Sequence, residues 1–212
     1  MYILTKVVLA IMLGFIISSV LGLIMVPLLK RLKVGQRISE YVDVRHHQKA
    51  GTPTMGGLIF IISTVLVILF LLVTNKIDFT YDLKIVFFVF VSYAIIGFLD
   101  DYLSIKNGKN EGLTAVQKLF LQLIVALVFF YLYIKNGGQT SLIISTLGIH
   151  IEMKWLYGLF ILFILVGSSN AVNLTDGLDG LAAGLSAIAF IAFSLISLMV
   201  GYTDMGIFTL VC

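Results

Sequence analysis

The run Trp155-Leu-Tyr-Gly-Leu-Phe-Ile-Leu-Phe-Ile-Leu-Val166 is followed, after Gly-Ser-Ser, by Asn170-Ala-Val-Asn-Leu-Thr-Asp-Gly-Leu-Asp-Gly180. A second uncharged and mostly apolar run, Leu181 to Val200, comes next. About 20 apolar residues are needed for a helix to cross the hydrocarbon core of a bilayer. The two flanks therefore read as membrane spans, with the polar stretch as their connection at one membrane face. Asn170, Asn173, Asp176 and Asp179 recur every third residue, which on a helix gives a slowly drifting polar band. Gly177 and Gly180 disfavour a continuous helix and let the backbone approach a ligand closely. Amides and carboxylates beside hydrophobic spans are costly unless they meet water, a cation or each other. Taken alone, the stretch also fits a hydrated loop with Asn and Asp as helix caps.

The rest of the chain repeats the pattern. Of 212 residues, 60% are hydrophobic and 12% charged, against roughly 25% charged in a globular protein. A soluble domain is excluded, and long unbroken runs exclude the short alternating segments of a barrel. The expected spans are Val7 to Leu29, Met55 to Thr74, Ile85 to Leu103, Val116 to Ile134, Trp155 to Val172 and Leu181 to Val200. Met205 to Cys212 reads as the opening of a seventh. The fold class is thus all-α, a polytopic transmembrane helical bundle forming a single integral membrane domain over residues 1–212. The first run is long enough to span and lacks a small-residue cleavage pattern, so it reads as a mature span rather than a signal peptide. The single cysteine, Cys212, leaves no disulfide framework.

Basic residues set the orientation. Lys30, Arg31, Lys33, Arg37, Arg45 and Lys49 lie between the first two spans. Lys106 and Lys109 lie between the third and fourth, with Lys118 just inside the latter. The other side carries Lys6, Lys76, Lys84, Lys135 and Lys154, partly offset by Asp78, Asp82 and Glu152. The amino terminus is expected outside. The connections Lys30 to Thr54 and Ser104 to Ala115 then share the cytoplasmic face with Asn170 to Gly180. His150 falls in an external connection and is given no role.

Two further polar groups reach that face. Asp100 and Asp101 close the third span in Gly97-Phe-Leu-Asp-Asp-Tyr102. Successive helical residues point about 100° apart, so one carboxylate can face a site while its neighbour orients it or binds a ligand. Adjacent anions at a helix C-terminus oppose the macrodipole, and a divalent cation, a proton or a cationic partner would relieve them. A solvated helix end is the plainer alternative. Arg45, His46, His47 and Lys49 offer donors suited to phosphate oxygens, although a basic juxtamembrane loop also obeys the positive-inside rule with no further task. Together these groups suit a hard cation and phosphates, hence phosphoryl transfer between a soluble donor and a lipid-borne acceptor. Polar residues near span midpoints would be expected of a transporter or channel; the acidic residues cluster instead at one interface.

At these motifs the chain resembles the polyprenyl-phosphate N-acetylhexosamine-1-phosphate transferase superfamily, and within it the phospho-N-acetylmuramoyl-pentapeptide transferases. The resemblance lies in His47 to Gly57, Phe98 to Tyr102, Gly112 to Lys118 and Asn170 to Gly180. Their wording favours that branch over relatives acting on UDP-N-acetylglucosamine. The resemblance implies a multi-pass enzyme of the bacterial inner membrane, with its active site on the cytoplasmic face, serving peptidoglycan synthesis. It would move phospho-MurNAc-pentapeptide from its UDP carrier to undecaprenyl phosphate, giving lipid I and UMP with magnesium as cofactor. Asp100, Asp101 and Asp176 correspond to catalytic-site carboxylates and to metal ligands, which of them acts as base being open. Asn170 and Asn173 belong to the same cluster, and Asp179, with the backbone around Leu174 and Gly177, corresponds to the nucleoside pocket. Lys49 and His47 would contact the donor diphosphate. Family members have about ten spans. The later Gly-Asp motif with a main magnesium ligand and the His-rich carboxyl-terminal loop do not occur in this sequence. The chain therefore resembles an amino-terminal portion and is expected to have little transferase activity alone. A non-catalytic membrane fragment retaining a uridine-nucleotide pocket stays open, as does the oligomeric state, a homodimer included. The bilayer is an expected partner and nucleic acid is not.

Overall fold

The computed structural model describes residues 2–31, 55–107, 112–176 and 180–212. Seven helices follow one another within them: α1 Ile3–Arg31, α2 Gly57–Val73, α3 Tyr81–Asn107, α4 Ala115–Lys135, α5 Leu156–Thr175, α6 Leu181–Val200 and α7 Thr203–Val211. Five of these, α1, α3, α4, α5 and α6, are long and apolar enough to cross a membrane. The 17-residue α2 is a shorter apolar helix, still about 26 Å long at the usual helical rise. The chain is a multi-pass helical membrane protein. All six expected spans appear as helices, and the apolar stretch after Met205 forms most of α7.

Successive helices run antiparallel, so their ends gather in two layers. In the layer that holds the start of α1, Asn136 Nδ2 after α4 donates to Asp82 Oδ1 of α3 at 3.2 Å. Lys6 and Asp78 act electrostatically on Asp204 at the start of α7. An antiparallel hairpin, β1 Ser141–Ile144 and β2 Ile149–Glu152, links α4 to α5 in the register Ile143↔His150. It was not foreseen. Its strands are four residues each, far below the length at which a hydropathy reading scans, and Gly148 at φ +63° supplies the left-handed backbone its turn needs.

The apolar core sits towards this same layer. Ala10 of α1, Val67, Ile68 and Leu71 of α2, Leu83 of α3, and Ile207, Phe208 and Val211 of α7 are buried together. Phe208 stands edge-on to both Phe87 and Phe90. The turn into α7 closes on Gly201 at φ +93°, with Tyr202 N–H donating to the Ser197 carbonyl at 2.8 Å. Such a left-handed cap satisfies carbonyls at a helix end. α7 then folds back on α6 and packs against α1, α2 and α3.

Candidate functional site

In the opposite layer, the C-terminal end of α3, the N-terminal end of α4 and the C-terminal end of α5 meet in a polar cluster. α3 runs one turn past its expected end, so Asp100 and Asp101 stand inside the helix rather than at its terminus. The macrodipole argument loses force there, because that field fades within the last turn. The angular argument gains. Asp100 turns to α4: its Oδ2 accepts from Lys118 Nζ at 2.9 Å, and its Oδ1 from the Leu113 backbone N–H at 2.8 Å. Asp101 turns elsewhere. The Met55 backbone hydrogen-bonds its carboxylate, while Asp100, Lys118 and Asp176 lie close enough to act on it electrostatically.

Local sequence fixes these partners. Thr114 caps α4: its hydroxyl accepts from Gln117 N–H at 3.3 Å, and Gln117 Oε1 accepts from Thr114 N–H at 3.0 Å. This reciprocal box sets the first turn and places Lys118 immediately after it. Gly112 lies so close to Asp100 that a Cβ there would fall on the Asp100 carbonyl and carboxylate. A glycine is required at that position for the loop to donate Leu113 N–H to the carboxylate.

Across the α4–α5 seam, Lys118 Nζ also donates to Asn173 Oδ1 at 3.5 Å. One turn deeper, Asn170 Nδ2 donates to Gln122 Oε1 at 3.0 Å and to the Val166 carbonyl at 2.9 Å. Gln122 Nε2 donates to Ser169 Oγ at 3.2 Å. Gln122 is 1% exposed, and the Lys118 and Asp100 side chains are 17% and 25% exposed. The ion pair is thus partly shielded from solvent at the mouth of a polar seam, and solvent screening is weaker there than at an open surface.

Of the residues named from sequence, Asp100, Asp101, Asn170, Asn173 and Asp176 come together here. Leu174 shows an exposed side chain on α5. His47, Lys49, Gly177 and Asp179 lie outside the described residues. Met55, which touches Asp101, is the first described residue after the stretch of sequence holding His47 and Lys49. Three participants escaped notice. Lys118 read as one more inner-face cation, although it stands four positions before Gln122 on the same helix face. Gln122 is the one amide in the run from Leu119 to Ile134, a signal that was present and unused. Ser169 resembles any small residue of a span.

Chemically, the cluster offers one ammonium, several amides and three carboxylates. No three His, Cys, Asp or Glu side chains among the described residues are grouped tightly enough to hold a metal by themselves. Asp100 is already engaged by Lys118. Asp101 and Asp176 remain as oxygen donors, a set that matches a hard cation completing its shell from phosphate and water.

The glycosyl transferase family 4 model matches residues 83–212, and the phospho-N-acetylmuramoyl-pentapeptide-transferase signature 1 matches residues 49–61. Three similar proteins bear the name phospho-N-acetylmuramoyl-pentapeptide-transferase. That of Clostridium perfringens is 43% identical over 204 residues, covering 96% of this chain and 62% of its own length. That of Oceanobacillus iheyensis is 41% identical over 167 residues, 79% of this chain and 51% of its own. That of Bacillus subtilis is 41% identical over 161 residues, 76% and 49% respectively. The chain spans about half the length of the curated relatives it matches. With a family model covering the second span pair, the polar cluster and α7, and signature 1 running through the entry to α2, the chain belongs to glycosyl transferase family 4.

Proposed function

We propose that this chain contributes to transfer of phospho-MurNAc-pentapeptide from UDP to undecaprenyl phosphate at the cytoplasmic face of a bacterial inner membrane. The observation that carries the reading is the rung Asp100–Lys118–Asn173, flanked by Asp101 and Asp176, at one end of the bundle. Names of the relatives and signature 1 point to the pentapeptide donor rather than UDP-N-acetylglucosamine.

In this reaction an oxygen of undecaprenyl phosphate attacks the phosphorus joined to the sugar. A new P–O bond forms, the diphosphate bridge breaks, UMP leaves, and lipid I results. Little covalent chemistry falls to the protein; positioning and charge neutralisation dominate. Lys118 would hold an oxygen of the donor diphosphate, being already fixed between Asp100 and Asn173. Asp100 would keep that ammonium oriented. Lys49 and His47 would contact the same diphosphate, and Asp179, with the backbone around Leu174 and Gly177, the nucleoside. Family membership is consistent with a divalent-cation requirement; Asp101 and Asp176 would hold magnesium, which when bound offsets phosphate charge. The lipid acceptor would reach the cluster through the bilayer. Residues 1–212 act in this reading as one membrane domain.

A chimaera tests it: this sequence replaces the matching stretch of the Clostridium perfringens relative. The chimaera is reconstituted in vesicles with the UDP-linked donor, undecaprenyl phosphate and magnesium. Release of UMP with formation of lipid I, abolished by Asp101→Asn, is the expected result. A chimaera that folds and binds no donor would overturn the assignment.

A further inference from the structure

The α4–α5 seam is held by ring packing at one end and by side-chain amides at the other. Tyr133 stacks on Tyr157 at 5.9 Å, and Gly158 accommodates the Phe130 ring. These contacts hold the helices by shape, since a Cβ at Gly158 would fall on the Phe130 ring. Gln122 is different. Its amide straddles two adjacent residues of α5, accepting from Asn170 and donating to Ser169, and it is buried. Asn170 is itself tied to its own helix through the Val166 carbonyl. A slip of one residue, about 1.5 Å, breaks one of the two bonds, and a slip of a whole turn breaks both. Either leaves a buried amide unsatisfied in surroundings where water is scarce. A lone polar residue within an apolar helix seam fixes register in coiled coils for the same reason.

The register so fixed has a consequence one turn away. Lys118 precedes Gln122 by four residues, and Asn173 follows Asn170 by three, so each pair shares a helix face. When the amide rung is aligned, the ammonium rung is aligned too, and Lys118 meets Asn173 and Asp100 together. We propose that Gln122 is a positioning residue: it locks α4 to α5 in the one register that presents Lys118 to Asp100 and Asn173. The catalytic consequence rests on the function proposed above; the register itself does not.

The test separates the two. Gln122→Met keeps an unbranched side chain and loses both hydrogen bonds. The protein, in vesicles, is acetylated with an amine-reactive ester, and labelling of Lys118 is read by mass spectrometry against Lys135, the exposed lysine at the far end of the same helix. Gln122→Met should raise the Lys118 to Lys135 ratio by roughly eightfold, the population change that accompanies loss of two interhelical hydrogen bonds of about 0.6 kcal/mol each. Gln122→Glu, which can still accept from Asn170, should stay near the parent. General unfolding would expose α4 throughout and also bring Gln122→Glu up. Should the Met variant fail to fold, Ser169→Ala, which removes one bond of the rung, should move the ratio in the same direction by less. A parent-like ratio in the variant that folds overturns the register proposal, whatever becomes of the transferase reading. In the chimaera, Gln122→Met should also raise KM for the UDP-linked donor, a change that a smaller folded fraction cannot produce. An altered ratio with unaltered KM would uphold the register and remove Lys118 from donor binding.

Discussion

Two interfaces of this molecule are built on opposite principles. The α1–α2–α7 packing holds Ala10, Val67, Ile68, Leu71, Ile207 and Phe208, all buried and all apolar. The α3–α4–α5 seam, at the other end of the bundle, holds two adjacent rungs of hydrogen bonds, Asp100–Lys118–Asn173 and Ser169–Gln122–Asn170. In lipid the apolar interface gains little from the hydrophobic effect, because acyl chains are as apolar as leucine; it rests on close packing. The polar seam is costly to assemble, and its members tolerate few arrangements. The first interface therefore supplies a frame, and the second supplies chemistry whose geometry the frame must not disturb.

The sharpest way to break this division is to remove one charge from the seam. Asp100→Asn in the chimaera should lower turnover by about 10²- to 10³-fold, the loss usual for a preorganised charged group, with folded yield little changed. Steady-state UMP release on folded protein measures it. Turnover near the parent's would mean that Lys118 does not need its carboxylate, and the seam would lose its claim to chemistry. A large truncation on the other side provides the contrast. Ile68→Ala, at a position with no exposure, should cost about 2–4 kcal/mol of stability through the cavity left behind, followed by denaturant titration in detergent. Turnover per folded molecule should hold. A fall comparable with that of Asp100→Asn would show that the frame and the site are one unit.

Legibility in the sequence divides along the same line. Spans were readable because lipid demands length and apolarity from consecutive residues; α1, α3, α4, α5 and α6 meet both demands, and α2 meets the second. The separate headings of Asp100 and Asp101 were readable because helical geometry fixes the angle between neighbours. Partners across helices were not, since nothing local says that Lys118 faces Asp100 rather than a lipid phosphate. Gln122 was hidden by the apolarity around it, which is what makes it informative once α4 and α5 are seen side by side. The hairpin at Ser141–Glu152 fell below the length at which membrane reasoning operates. The residues expected to contact the donor's diphosphate and nucleoside, His47, Lys49, Gly177 and Asp179, are outside the described structure, so their place beside the seam rests on resemblance and on Met55.

A smaller change sharpens the contrast within α4. Thr114→Ala removes the side-chain half of the capping box and should cost about 1 kcal/mol. Hydrogen exchange should show faster opening of the first turn of α4, with amides of α7 unaffected. Equal acceleration at both ends would mean that the two interfaces open together.

The smallest expected effect lies at Ser194, a buried hydroxyl on the frame side. Its Oγ donates to the Gly206 carbonyl at 2.8 Å, joining α6 to α7. On appearance this buried, short, interhelical bond should matter as much as the Gln122 rung. The acceptor says otherwise: the Gly206 carbonyl also accepts from Thr209 Oγ1 at 3.0 Å, so Ser194→Ala strands no buried group. Close approach of the two helices is held independently, since Gly206 has the Leu198 side chain against it and would not admit a Cβ without displacing it. Ser194→Ala should therefore cost only about 0.6 kcal/mol, the average for such bonds in membrane proteins, and leave turnover alone. Gly206→Ala should cost more than Ser194→Ala in the same titration. If the order reversed, hydrogen bonding rather than packing would hold the frame, and the division between the two interfaces would have to be redrawn.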